Sequence, residues 1–122
     1  MASPKQDGPA FSLSVVKSGT MVNHRARVSP HLLEVSFAKM NGWEKRPIKF
    51  RAGDKVRLGF QCQLASGSLV VELVAPDGST AIRWGDSPGA TNDFVAEVDG
   101  KYIIRATAEH ASGGYKIEIA PD

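Results

Sequence analysis

The stretch Lys55-Val56-Arg57-Leu58-Gly59-Phe60-Gln61-Cys62-Gln63-Leu64 alternates apolar and polar residues without a break. Successive side chains on an extended chain point to opposite faces, so Val56, Leu58, Phe60, Cys62 and Leu64 share one face and Arg57, Gly59, Gln61 and Gln63 the other. This pattern belongs to a half-buried β-strand. Outward from it, short apolar runs alternate with Gly, Pro and Asp at nearly even spacing. Ala52-Gly53-Asp54 precedes the strand and Ser66-Gly67 closes it. Ser68 to Ala75 has the apolar content of a central strand, and Pro76-Asp77-Gly78-Ser79 is a turn in which Pro presets the first dihedral and Gly accepts a positive φ. Thr80 to Trp84 forms the next strand, Gly85 to Asn92 a loop, and Asp93 to Val98 a strand that Asp99-Gly100 turns into a hairpin with Lys101 to Ala108. Glu109 to Gly114 reads as a mobile turn before Tyr115, Ile117 and Ile119, the inward phase of a last strand.

The first forty-five residues are less patterned. A polar leader covers residues 1–10 and one domain covers 11–122, with a first strand over Phe11 to Val16. Thr20 to Pro30 is aperiodic, a long connection or an edge strand. Leu33, Val35 and Phe37 alternate into a strand that Asn41-Gly42 turns back as a hairpin; a helix over Ser29 to Met40 is disfavoured by Val35, Ser36 and Phe37. Pro47 to Phe50 adds a short strand. Eight or nine antiparallel strands at this spacing predict an all-β, jelly-roll-like sandwich. Leu58, Phe60, Leu69, Val71, Leu73, Phe94, Tyr102, Ile104, Ile117 and Ile119 form its expected core.

With 122 residues, 42% hydrophobic and 23% charged, the chain can bury a core without a disulfide or metal staple. No apolar run is long enough for a membrane span. The single Cys62 lies on the apolar phase and is expected buried. The net charge of +2 divides unevenly. Residues 1–60 carry eleven Lys/Arg against four Asp/Glu and residues 61–122 four against nine. Strand interleaving would make the two signs cross-strand neighbours; segregation would give a dipolar surface able to steer an acidic partner or support self-association. Lys45, Arg46, Lys49 and Arg51, with Lys55 and Arg57, form the densest basic segment, read as a basic surface.

Chemistry-bearing residues are scattered. His24, His31 and His110 lie far apart, and there is no Gly-x-Ser-x-Gly elbow, so no catalytic residue is assigned and the chain is read as not an enzyme. Cys-x-x-Cys, His-Glu-x-x-His and Asp-x-Asp-x-Asp-Gly patterns are missing, and turn formation accounts for Asp86, Asn92 and Asp93, so neither a metal nor a cofactor is expected. Ligand binding rests on the two tryptophans. Trp84 beside Asp86 and Asn92, and secondarily Trp43, are the candidate sugar platform, provided their indoles are exposed. The basic segment lacks the interleaved aromatics that single-stranded nucleic acid needs, so no nucleic-acid partner is expected.

Ile48 to Leu58 with its Ala52-Gly53-Asp54, Gly67 to Gly78 ending in Pro76-Asp77-Gly78, Phe94, Gly100-Lys101-Tyr102 and Gly113 to Ile117 together resemble the bacterial pre-peptidase C-terminal domain and the Golgi-dynamics domain. The resemblance covers residues 46–120. It implies a non-catalytic, extracytoplasmic accessory module for protein interaction, targeting or assembly. The alternatives from the residues themselves are a carbohydrate-binding module and a self-associating structural subunit; the partner is a protein or a glycan, or a second copy.

Overall fold

A computed structural model describes residues 9–12, 14–85 and 88–121. Among the described residues eight strands run in chain order: β1 (Ala10–Phe11), β2 (Val16–Val22), β3 (Arg25–Ser29), β4 (Leu32–Phe50), β5 (Lys55–Val74), β6 (Thr80–Gly85), β7 (Gly89–Val95) and β8 (Gly100–Pro121). All pairings are antiparallel. The long strands β4, β8 and β5 lie side by side in that order, with β1, β2 and β3 along the outer edge of β4 and β6 and β7 along the outer edge of β5.

Each long strand breaks register near its middle: β4 between Phe37 and Gly42, β5 between Leu64 and Ser68, and β8 opposite these points. The sheet folds over at this line into two layers. The front layer holds β3, β7, residues 32–37 of β4, 55–64 of β5 and 113–121 of β8. The back layer holds β1, β2, β6, residues 42–50, 68–74 and 100–108. Gly67, at φ 79°, marks the fold line, where a Cβ would collide with the His110 carbonyl. Gly42 sits there too, its Cα packed so closely on β2 that a side chain would strike the Ser18 carbonyl. The Asn41-Gly42 pair therefore bends one strand instead of joining two, and the hairpin expected there does not form.

Two further expectations change for the same reason. β7 pairs with β5 and not with β8, so Asp99-Gly100 carries the chain from one layer to the other. Residues 109–114 lie inside β8 and are no separate turn. Thr20 to Pro30 supplies the end of β2 and the whole of β3, and the strand expected over 11–16 is split between β1 and β2. The Pro76–Ser79 turn forms as read, with the Gly78 amide donating to the Ala75 carbonyl at 2.9 Å. Most of the expected leader lies outside the described residues.

The core fills the space between the layers. Leu33, Leu58, Phe60, Leu69, Val71, Leu73, Ile104 and Ile117 are 0–1% exposed, and Tyr102 and Ile119 are also buried. Phe94 is partly buried. It meets Phe50 edge-on at 5.2 Å and Tyr102 at 5.8 Å, locking front to back. Cys62 is buried, as its phase required. The charge asymmetry survives folding. Residues 9–50, with seven Lys/Arg against two Asp/Glu, occupy β1 to β4 at one flank, and the acid-rich residues 51–99 occupy the other.

Candidate functional site

The outer surface of the front layer carries a groove of about 1090 Å³. Its geometry follows from the ladder register. Arg25 stands opposite Ser36, which faces Gly114 and then Gln63; Arg27 stands opposite Glu34, followed by Lys116, Gln61 and Gly89. The first row crosses four strands and the second five, a span of about 19 Å at the usual inter-strand spacing. Small residues at Gly89 and Gly114 keep the floor low while Arg, Gln and Lys side chains rise beside it. A second depression of about 430 Å³ continues on the same face past Gly59 and Glu118 to His31, Leu32 and Thr91. Two of the cations here meet carboxylates: Arg27 lies 3.9 Å from Glu34, and Arg57 Nε donates to Asp93 Oδ1 at 3.0 Å.

Among the described residues, none of the expected ligand residues lines this groove. Trp84 is 6% exposed and stacks on Phe60 at 5.0 Å with an interplanar angle of 7°. Its Nε1–H donates to Asn92 Oδ1 at 2.9 Å, so the structure does bring Trp84 and Asn92 together, but as a core contact. The exposed indole that a sugar platform on Trp84 requires is not there: its position on β6 points the ring between the layers. Asp86 lies outside the described residues. Trp43 is half-buried on the outer face of the back layer, with Lys45 Nζ 4.9 Å from its ring centroid.

The basic segment divides by strand phase. Lys45 and Lys49 point outward from the back layer and Arg51 lies exposed on the turn after β4. Arg46 does not belong to this surface. It is 3% exposed and lies between the layers, because 44, 46, 48 and 50 share the inward phase of β4. There it joins a buried polar cluster that sequence reasoning missed. Glu44, 0% exposed, accepts hydrogen bonds at Oε1 from Arg46 Nη2 at 3.2 Å and at Oε2 from the Tyr115 hydroxyl at 2.6 Å; His24 Nε2 lies 3.0 Å from Oε1. The His24 ring stacks on Phe37. Burial, and then the Glu44 carboxylate, push the Tyr115 phenol well above its ordinary pKa, so it stays a donor. Arg46 Nε has no partner among the described residues. The cluster ties β4 of the back layer to β8 of the front and fixes the β2–β3 connection, where Asn23 adopts φ 51°. The period-two phase of Glu44, Arg46, Ile48 and Phe50 was the signal that could have found it.

No family model and no curated protein matches the chain. Among solved structures it is similar to the family 6 carbohydrate-binding module of Cellvibrio mixtus lichenase 5A in complex with cellotriose, at 10% identity and a TM-score of 0.44, covering 90% of this chain and 98% of that one. It is also similar to the C-terminal family 6 module of the Zobellia galactanivorans laminarinase LamC, at 9% and 0.47, covering 90% and 97%. A third is the xylan-binding family 22 module of Paenibacillus barcinonensis Xyn10C, at 11% and 0.34, covering 98% and 90%. Values this low assign no ligand or residue. They do correct the resemblance to pre-peptidase C-terminal and Golgi-dynamics domains: the matching structures are other sandwiches, and the Ala-Gly-Asp, Pro-Asp-Gly and Gly-x-Tyr elements behind that resemblance are turn chemistry shared by many β-folds.

Proposed function

We propose that the protein is a non-catalytic binding module that holds a hydroxyl-rich glycan chain along the front groove. The observation that carries this reading is the pair of cross-strand rows, in which the Gln61 and Gln63 amides, the Ser36 hydroxyl, the Glu34 carboxylate and the Arg25 guanidinium all open onto one elongated floor. Each amide offers a donor pair and an acceptor to vicinal hydroxyls, and Glu34 offsets one of the two cations in its row. A groove open along the face accepts a polymer's interior units. Glycan polymers of this kind are met outside the cell, which favours an extracytoplasmic setting.

Affinity electrophoresis in soluble β-glucan, xylan and mannan tests this. At least one polysaccharide should retard the native protein, and joint Gln61→Ala and Gln63→Ala substitution should remove the retardation with the melting temperature unchanged, since both side chains are exposed. Unretarded migration in all three, or retardation that persists in the double variant, rejects the groove as the glycan site.

A further inference from the structure

On the outer face of the back layer, β4 and β8 set like charges directly opposite one another. Lys49 faces Lys101, and Lys45 faces Arg105. Directly opposed like charges destabilise a ladder, yet here two such pairs stand on one face, separated by the Pro47–Ile103 pair. Glu72 relieves one corner: it accepts from Arg105 Nη2 at 2.7 Å and lies 3.6 Å from Arg83. Among the described residues no carboxylate faces the Lys49–Lys101 pair across a ladder, and on its other edge Lys49 stands beside Ala10. The two cationic pairs stand about 13 Å apart along the strands, four residues at the usual rise. Between them Pro47 and Ile103 form a flat, half-buried apolar step.

We infer that this face is a second binding site, distinct from the front groove, for an acidic polysaccharide whose carboxylates or sulfates meet the lysine pairs while a sugar ring lies over Pro47 and Ile103. Charge complementarity names the occupant. An anion seated between Lys49 and Lys101 turns a repulsive pair into two attractive contacts. The apolar step suits the ring face of a pyranose. Single-stranded nucleic acid fits less well, since it needs open aromatic platforms, and Trp43, which shares this face, already has Lys45 over its ring.

Binding to immobilised polygalacturonate and to heparin, with neutral dextran as control, tests the site at low and high salt. The native protein should bind one or both polyanions in a salt-sensitive way and ignore dextran. Polygalacturonate alone would identify carboxylate as the anion, and heparin alone sulfate. Joint Lys49→Gln and Lys101→Gln substitution should weaken heparin binding about tenfold or more and flatten the log-affinity against log-salt slope by about one per lysine. Lys116→Gln, in the front groove, should leave polyanion binding unchanged. Failure of both polyanions to bind, full binding by the double lysine variant, or tighter binding of oligothymidylate or phosphatidylserine vesicles than of either polysaccharide overturns the inference. Loss of neutral-glycan binding in the groove variants is a separate readout that leaves this site intact.

Discussion

The two outer faces share three strands, to which β3 and β7 add on the front and β1, β2 and β6 on the back, and they differ in how charge is paired across them. On the front face Arg27 and Lys116 flank Glu34 and Arg57 meets Asp93, while Arg25 faces Ser36 and Lys55 faces Val95, so no cation there stands directly opposite another. On the back face Lys49 meets Lys101 and Lys45 meets Arg105. β4, β5 and β8 pass through both layers, so composition per strand cannot explain the difference. It arises at the fold line, where each strand changes layer and presents a new stretch of sequence, and from the edge strands β3 and β7, which bring Arg27 and Asp93 to the front alone. A matched ladder leaves hydrogen-bond geometry to choose a ligand, whereas an unmatched one leaves a field that only an anion relieves.

Both faces depend on the layers keeping their spacing, and the Glu44 cluster is the polar part of that connection. Glu44→Ala should have one of the largest effects in the molecule. It leaves Arg46 buried without its carboxylate and strips Tyr115 of its acceptor. Denaturant unfolding should report a loss of about 3–5 kcal/mol, the range for breaking a buried ion pair from one side. A loss below about 1 kcal/mol would mean that water relaxes into the cluster and that the faces are held by apolar packing alone.

The two tryptophans sharpen the same contrast between interior and face. Trp84→Ala should cost roughly 3–5 kcal/mol, because it empties the space against Phe60 and orphans Asn92. Trp43→Ala, on the half-buried outer surface, should cost under about 1 kcal/mol. Equal costs would show that Trp43 is a structural lid and that the back face is not free to bind.

Tyr115→Phe is a milder probe of the interlayer connection, expected to cost about 1.5–3 kcal/mol through one hydrogen bond to a charged acceptor. Its pH signature is more diagnostic. Burial, followed by the Glu44 carboxylate, raises the folded phenol above the ordinary value of 10.0, which the unfolded chain retains. The stabilisation is therefore complete below pH 10 and is lost as pH rises through and beyond it, at up to about 1.4 kcal/mol per pH unit. Unfolding at mildly alkaline pH and again above pH 10 should show the native protein losing more stability than Tyr115→Phe; parallel losses would place Tyr115 in contact with solvent.

The sandwich was legible in sequence where alternation was long, as at Val56 to Cys62 and Tyr115 to Ile119, and where a turn's backbone demands specific residues, as at Pro76 to Ser79. What stayed hidden was the passage of single strands through both layers. Asn41-Gly42 and Ser66-Gly67 carry the same chemistry whether they reverse a chain or bend it, and only pairing partners separate the two outcomes. The groove was illegible for a related reason. Its rows join β3, β4, β8, β5 and β7, which are remote in sequence, and its residues are ordinary polar strand positions. Arg46 was misplaced because a run of basic residues reads as surface, although period-two phase set it with Ile48 and Phe50. Trp84 ends its strand, a position that reads as an exposed edge, yet its phase points inward.

The smallest expected effect tests the comparison of faces without any ligand. Lys101→Glu places a carboxylate opposite Lys49, giving the back face the kind of pairing that Arg27 and Glu34 have on the front. Both positions are exposed, so no burial cost intervenes and only the cross-strand interaction changes. Stability should rise by roughly 0.2–1 kcal/mol at low salt and the gain should shrink as salt screens it. Glu34→Lys performs the reverse experiment. It sets a third cation between Arg27 and Lys116 and should lower stability by a similar amount. If the two substitutions change stability in the same direction, the opposed lysines are not a local strain on the ladder, and the electrostatic distinction between the faces does not hold.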